Sequence, residues 1–148
     1  MSQYADISLT NDGDDSVVVM MYSTAGVTKG LGVLADTVAG KPRSCCLPTG
    51  AGGCARSIGV AVDTIDALGT GRVCIHGPAV MLAHAALHTG DFAEISDTAG
   101  HLGEAIDAVV AAGTATHPCL GQVLQASTAD NDYIEVFVNP TNLPKAAA

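Results

Sequence analysis

One short phrase recurs three times along this chain, and it narrows the folds open to it more than any other feature. Leu31-Gly32-Val33-Leu34-Ala35-Asp36-Thr37 returns as Ile58-Gly59-Val60-Ala61-Val62-Asp63-Thr64 and, more loosely, as Leu120-Gly121-Gln122-Val123-Leu124-Gln125-Ala126. The second and third copies continue alike, through a small polar turn region into an apolar run: Arg72-Val73-Cys74-Ile75-His76 and Tyr133-Ile134-Glu135-Val136-Phe137-Val138. Apolar, β-branched runs separated by turn residues read as β-hairpins. A glycine inside the first strand marks a bulge or a close backbone approach. The copies begin at residues 31, 58 and 120, too unevenly for a solenoid, so the pattern is duplication inside a compact fold.

Placed around these hairpins, the remaining segments predict an all-β fold: a small β-barrel or sandwich of repeated hairpins with at most short helical segments. Val17 to Tyr22 is a continuous apolar run that suits a buried strand. Lys41-Pro42 reads as a turn, Arg43 to Leu47 as a short returning strand, and Pro48 to Gly53 as a glycine loop. The second hairpin spans Ser57 to His76 and turns at Leu68-Gly69-Thr70-Gly71. Residues 78–82 read as strand, 83–88 as irregular or one helical turn, 92–105 as a hairpin and 106–116 as short helix or loop. The last hairpin runs from Cys119 to Val138, and its return strand is largely apolar on both alternating faces. That predicts a strand covered on both sides or lying at a subunit interface. The expected organisation is an extended N-terminal arm over residues 1–16, a single β domain over 17–140 and a loose tail over 141–148. Tyr4, Ile7 and Leu9 are the adhesive side chains of the arm and its candidate partner-binding residues.

Such a fold must be built from small material. At 148 residues the chain is long enough to bury roughly 70% of its unfolded surface. Yet aromatics make up only 3% of it, and there is no Trp. Small side chains supply little buried area each, and stabilisation scales with apolar area removed from water, so subunit contacts and a homo-oligomer are expected. The formal charge of −9, from 15 acids against 6 bases, supplies no basic surface for nucleic acid and disfavours anionic membranes. No window approaches the 18 or more apolar residues of a spanning helix. Met1-Ser2-Gln3-Tyr4-Ala5-Asp6 lacks the basic and apolar regions of a signal peptide, so a cytosolic protein is expected. Five cysteines cannot all pair within one chain, and a reducing cytosol keeps them free.

Reactive groups do not assemble into a recognisable constellation. Gly50-Ala51-Gly52-Gly53-Cys54-Ala55 satisfies the letter of a dinucleotide fingerprint, but that motif needs a strand before it and a helix after it. Pro48 interrupts the approach, and Ser57-Ile58-Gly59-Val60 continues as strand. A P-loop fails because Pro42 follows Gly40-Lys41 where Ser or Thr must ligate magnesium. Cys45, Cys46 and Cys54 with His76, His84, His88, His101 and His117 raise a metal site. His84 and His88 have zinc-ligand spacing, but no C-x₂₋₄-C pair exists, and adjacent Cys45 and Cys46 point to opposite faces of a strand. A thiol enzyme using Cys54 or Cys119 would need a thiolate in an electropositive, open pocket. Cys119 follows His117-Pro118 with no cation nearby, and Cys74 between Val73 and Ile75 reads as core. Asp63, Asp66 and the Asp12–Asp15 stretch sit beside turns, where Asp bonds local backbone. No catalytic residue, cofactor or metal is expected.

Ile58-Gly59-Val60-Ala61-Val62-Asp63, a turn, and then Gly71-Arg72-Val73-Cys74-Ile75-His76-Gly77 resemble a segment of tailed-phage capsid decoration (cement, head-stabilising) proteins. Thr89-Gly90-Asp91-Phe92 and the closing stretch Gly121 to Val138 are similar to further phrases of that family, and the resemblance covers about residues 27 to 140. It implies a β-rich, commonly trimeric virion protein on the capsid exterior, bound at junctions between major capsid subunits and made in the host bacterial cytoplasm. The cysteine and histidine content departs from that pattern. A small ligand- or metal-binding β-barrel and the thiol enzyme remain as alternatives.

Overall fold

The computed structural model describes residues 16–48, 57–83, 86–95, 102–104, 116–129 and 132–144. Nine strands follow in chain order: β1 (Val17–Ser23), β2 (Gly32–Val38), β3 (Lys41–Cys46), β4 (Ser57–Ala61), β5 (Gly69–Leu82), β6 (Phe92–Ile95), β7 (Leu102–Glu104), β8 (Thr116–Val123) and β9 (Tyr133–Pro144). The all-β class expected from the hairpin phrases is what forms. Among the described residues there is no helix, hence none long and apolar enough to cross a membrane.

The strands order as β1-β3-β2-β4-β5-β9-β8-β6-β7, and β1 also pairs with β5. That extra pairing closes the first five strands into a ring. Val18↔Cys74 through Ser23↔Gly69 are antiparallel, whereas β1 meets β3 in parallel at Tyr22↔Ser44. Its interior holds Met21, Val27, Leu31, Val33, Cys45, Ala61, Ile65 and Val73.

The long strand β5 belongs to two units. Its first half pairs with β1 and β4, and its second half, Gly77 to Leu82, pairs with β9. Gly77, with φ +105°, stands at the changeover in a conformation that only glycine adopts cheaply. From there the chain repeats its first half. Gly30 N–H donates to Ala61 O at 2.9 Å, and Gly90 N–H to Val123 O at 2.8 Å. The isolated bridge Val27↔Ile65 is matched by Leu87↔Ser127. Val62 N–H donates to Arg72 O as Leu124 N–H does to Glu135 O, both at 2.9 Å. So the described chain is a tandem pair of one strand pattern. The phrases at 58 and 120 are true counterparts, β4 and β8. The phrase at 31 is β2, whose counterpart is β6, where the wording is lost: Gly90 matches Gly30, just ahead of the phrase, and Phe92 stands where Gly32 does.

The two units share one large cluster. Met81, Leu87, Ile95, Leu120, Val123, Ile134, Val136 and Val138 pack with Leu34, Val60 and Cys74 from the far side of the first ring. Contact there is close: a Cβ on Gly32 would stand 2.7 Å from Ile95 Cδ1 and 2.9 Å from Met81 Cε.

Several local expectations change. Val17–Tyr22 is a strand, but not a buried one; Val17 and Met20 are about half exposed, because β1 has the ring interior on one side only. The turn after β2 falls at Ala39-Gly40, and Lys41-Pro42 open β3 with exposed side chains. The 78–82 strand is the continuation of β5 rather than a separate element. β9 continues through Asn139-Pro140 to Pro144, paired with β8 from Thr116↔Pro144 to Cys119↔Thr141, where a loose tail is expected from 141. Proline ends a pairing less often at an edge or bulge, and β8 shifts register there, between Cys119 and Gly121. Residues 106–115 and the Gly50–Ala55 motif lie outside the described residues.

Candidate interaction face

β9 alternates cleanly. Ile134, Val136 and Val138 are buried, while Tyr133, Glu135, Phe137 and Asn139 face away from the core. The sequence predicts cover on both sides or a place at a subunit interface, and within one chain only the inner side is covered. Across the neighbouring strands the outward row is fixed by register: Phe92 lies opposite Gln122, Gln122 opposite Phe137, and Phe137 opposite Pro78. Phe92 is 48% exposed and Phe137 36%, and these are the two phenylalanines of the whole chain. A protein with so little aromatic material places both rings outside its core. Leu124 and Tyr133, also exposed, extend the apolar surface along the same sheet. Exposed apolar residues scattered singly are ordinary, but here register sets both phenylalanines on one face, with Gln122 between them.

Local bonds hold the row in place. The Gln122 side-chain amide donates to Gly90 O at 2.9 Å, fixing it beside Phe92. The ring of His76 meets Phe137 edge-on, with centroids 5.2 Å apart and planes at 83°. Phe92, Gln122, Phe137 and Asn139, with Cys119 and Gly121 beneath, line a shallow depression. Gly121 permits that geometry, since a Cβ there would fall 2.0 Å from Phe137 O. Gly59 is in the same relation to Cys74 O, also at 2.0 Å. The bulge-or-close-approach reading of the phrase glycine therefore holds in both hairpins.

Charge separates the two units. In the first, Asp63 and Arg72 form a two-pronged ion pair at 2.8 Å for both contacts, tying the β4–β5 turn together. That hydrogen-bonded guanidinium holds the Asp63 carboxyl below its ordinary value, with the Arg72 backbone N–H and Lys29 assisting. Asp63 is thus more than a solvated turn acid. In the second unit the matching positions are Gln125 and Glu135. Burial pushes the Glu135 carboxyl up from its ordinary value, with Val80 opposite it in register. The turn after β8 is held instead by Asp132, which accepts from Thr128 N–H, Ala129 N–H and Thr128 Oγ1.

The other candidate groups do not converge. Tyr4, Ile7 and Leu9 lie outside the described residues, as do Cys54, His84 and His101. Cys119 is buried, and its Sγ donates to Gly121 O at 3.2 Å and Ala93 O at 3.4 Å. Burial raises the Cys74 thiol and pushes Cys45 up to about 11, the reverse of an activated thiolate. Cys45 and Cys46 belong to different clusters, on opposite faces of β3. Exposed His88 bonds the Asp91 carboxylate through its backbone N–H at 2.8 Å. Among the described residues, no three His, Cys, Asp or Glu side chains gather as a metal site. The aromatic row escaped the sequence reading because Phe137 and Ile134 look equally apolar there. Its signal was the parity of β9, where Glu135 shares the face of Phe137.

No family model matches this chain, and no curated protein matches its sequence. Among solved structures, the fold is similar to the head fiber gp8.5 N base of bacteriophage phi29, with a TM-score of 0.58 at 11% identity. That likeness covers 86% of this chain and 97% of the other. At this identity it is a likeness of fold.

Proposed function

We propose that this chain is a non-enzymatic virion structural protein that binds the outer surface of a phage capsid and stabilises contacts between major capsid subunits. The observation that carries the reading is the fold shared with a phage head fiber base over nearly the full length of both chains. The resemblance of its hairpin phrases to tailed-phage decoration proteins points the same way from different material. Fold alone does not carry function. The buried thiols and the exposed aromatic row add a chemical argument, since they suit adhesion better than catalysis. The thiol-enzyme alternative draws no support from Cys119, which is buried with its Sγ donating to Ala93 O and Gly121 O.

In this reading the protein is made in the host cytoplasm and associates with itself, as a homotrimer, on the capsid exterior. Its partner is the major capsid protein. Residues 1–15 join the fold at Ser16, whose hydroxyl donates to Pro78 O at 2.8 Å. An arm of that length reaches at most about 50 Å, enough for Tyr4, Ile7 and Leu9 to contact a neighbouring subunit. The test is to mix the purified protein with expanded empty heads of its own virus and image them. Added density at regular capsid positions is expected, weakened by deletion of residues 1–12. Heads without added density would refute the reading.

A further inference from the structure

The second unit leaves unpaired an edge that the first unit closes. In the first, β1 lies between β5 and β3, meeting β3 at Tyr22↔Ser44. The counterpart of β1 is the second half of β5. Among the described residues β7, the counterpart of β3, does not pair with it. Alternate residues of a strand turn their N–H and C=O groups to opposite edges. Ala83 N–H donates to Asp132 O, just ahead of β9, so the odd-numbered residues bond that side. Pro78, Val80 and Leu82 therefore turn to the other edge. Both ends of it are engaged: Pro78 O accepts from the buried Ser16 hydroxyl at 2.8 Å, and Leu82 N–H donates to Gly30 O at 3.0 Å. Val80 lies between them, and Gly30 does not serve it, because Gly30 N–H goes to Ala61 O. A groove opens at this point, lined by Ser16, Lys29, Val62, Pro78 and Val80.

We propose that the root of the N-terminal arm, residues 11–15, docks in this groove of its own chain as a further stretch of β1, with Gly13 paired to Val80. Three observations choose that segment. Ser16 stands at the rim of the groove, so the chain before it starts there. β1 runs antiparallel to β5 as far as Val17↔His76, and the same register carried on one residue for one sets Gly13 opposite Val80. Charge is the third. Residues 1–15 hold four Asp and no Lys or Arg, and Asp12, Asp14 and Asp15 fall in the root. The cation lining the groove is exposed Lys29, and the carboxylate in its field, Asp63, is already held by the Arg72 guanidinium. Main-chain bonds to an unpaired sheet edge supply the affinity of such strand addition. The docked root leaves residues 1–10 to extend at most about 35 Å from the groove, with Tyr4, Ile7 and Leu9 among them. The inference does not depend on what that stretch meets.

Amide hydrogen exchange of the purified full chain, resolved residue by residue by NMR, tests it. Val80 should exchange about 10-fold or more slowly in the full chain than in a chain lacking residues 1–14. Ala79 and Met81, turned toward β9, should stay protected in both, which shows that the shortened chain folds. Gly13→Pro removes the N–H that would reach Val80 O while leaving every charge in place, and it should speed Val80 as the deletion does. Lys29→Glu should speed it too, through repulsion of the acidic root. Equal exchange at Val80 in the full and shortened chains, fast or slow, overturns the proposal. So does a full chain indifferent to both Gly13→Pro and Lys29→Glu. If Val80 of an isotope-labelled shortened chain slows on mixing with unlabelled full chain, the groove belongs to a neighbour's arm and the proposal falls. Heads play no part in these measurements, so a failure to bind them leaves the result standing.

Discussion

Replacing Gly59 with alanine puts a methyl group where the Cys74 carbonyl already stands. The added Cβ would lie 2.0 Å from Cys74 O, 2.9 Å from Cys74 C and 3.1 Å from Val73 Cγ1. Ordinary contacts need more than an ångström beyond the first of these, and the obstacle is backbone, which cannot swing aside. β4 must therefore pull away from β5 at Val60↔Cys74 and Ala61↔Val73. Losing two or three ladder bonds at about 1 kcal/mol each, with part of the burial of Val60, amounts to roughly 2–4 kcal/mol. For a chain of this size that lowers Tm by roughly 5–15 °C. Gly40→Ala is the control. It has φ +73° but nothing within 4 Å, so it carries backbone strain alone, about 1 kcal/mol. Gly121→Ala, under Phe137 O, should match Gly59→Ala. Thermal melts by circular dichroism compare the three. If Gly59→Ala melts no lower than Gly40→Ala, the close-approach reasoning is wrong.

Three further outcomes are expected. Asp63→Asn should cost about 0.5–1 kcal/mol in urea titrations at neutral pH, a modest sum because the pair is over a third exposed. The Asp63 carboxyl is held low in the fold, so this stabilisation exists above its unfolded value and fades as pH falls through the folded one; an undiminished cost in acid would contradict the pairing. Glu135 has the opposite sign. Its carboxyl is raised, so the fold loses stability as pH climbs through the ordinary carboxylate range toward the folded value. Glu135→Gln should then be the more stable protein at neutral pH and lose that advantage in acid, as pH-resolved melts would reveal. Cys45, Cys74 and Cys119 should react with a thiol reagent near neutral pH only slowly until denaturant is added. Fast native labelling at any of them, located by peptide mass, would revive the thiol-enzyme reading.

Much of the strand pattern was legible because it is local. Period-two alternation, β-branched runs and glycine turns placed β4, β5, β6, β7, β8 and the first half of β9 near where they form. The steric role of Gly59 and Gly121 was legible too, since a glycine in an otherwise β-branched strand has few other uses. The thiol of Cys74 could be read as core from its apolar neighbours, whereas the burial of Cys119 could not. All of this depends on residues a few positions apart.

The tertiary structure alone decided which surfaces are spent. Nothing in the phrase itself says that β1 returns beside β3 in parallel, that β5 serves two units, or that β9 runs on to Pro144. Those arrangements join residues far apart in sequence, and their energies arise only when whole sheets meet. The same holds for the contact face. Gly32-Val60-Cys74 and Phe92-Gln122-Phe137 occupy equivalent places, and local chemistry cannot tell a covered row from an open one. The docking of one unit on the other decides it, by burying the first row in the shared core and leaving both phenylalanines in water.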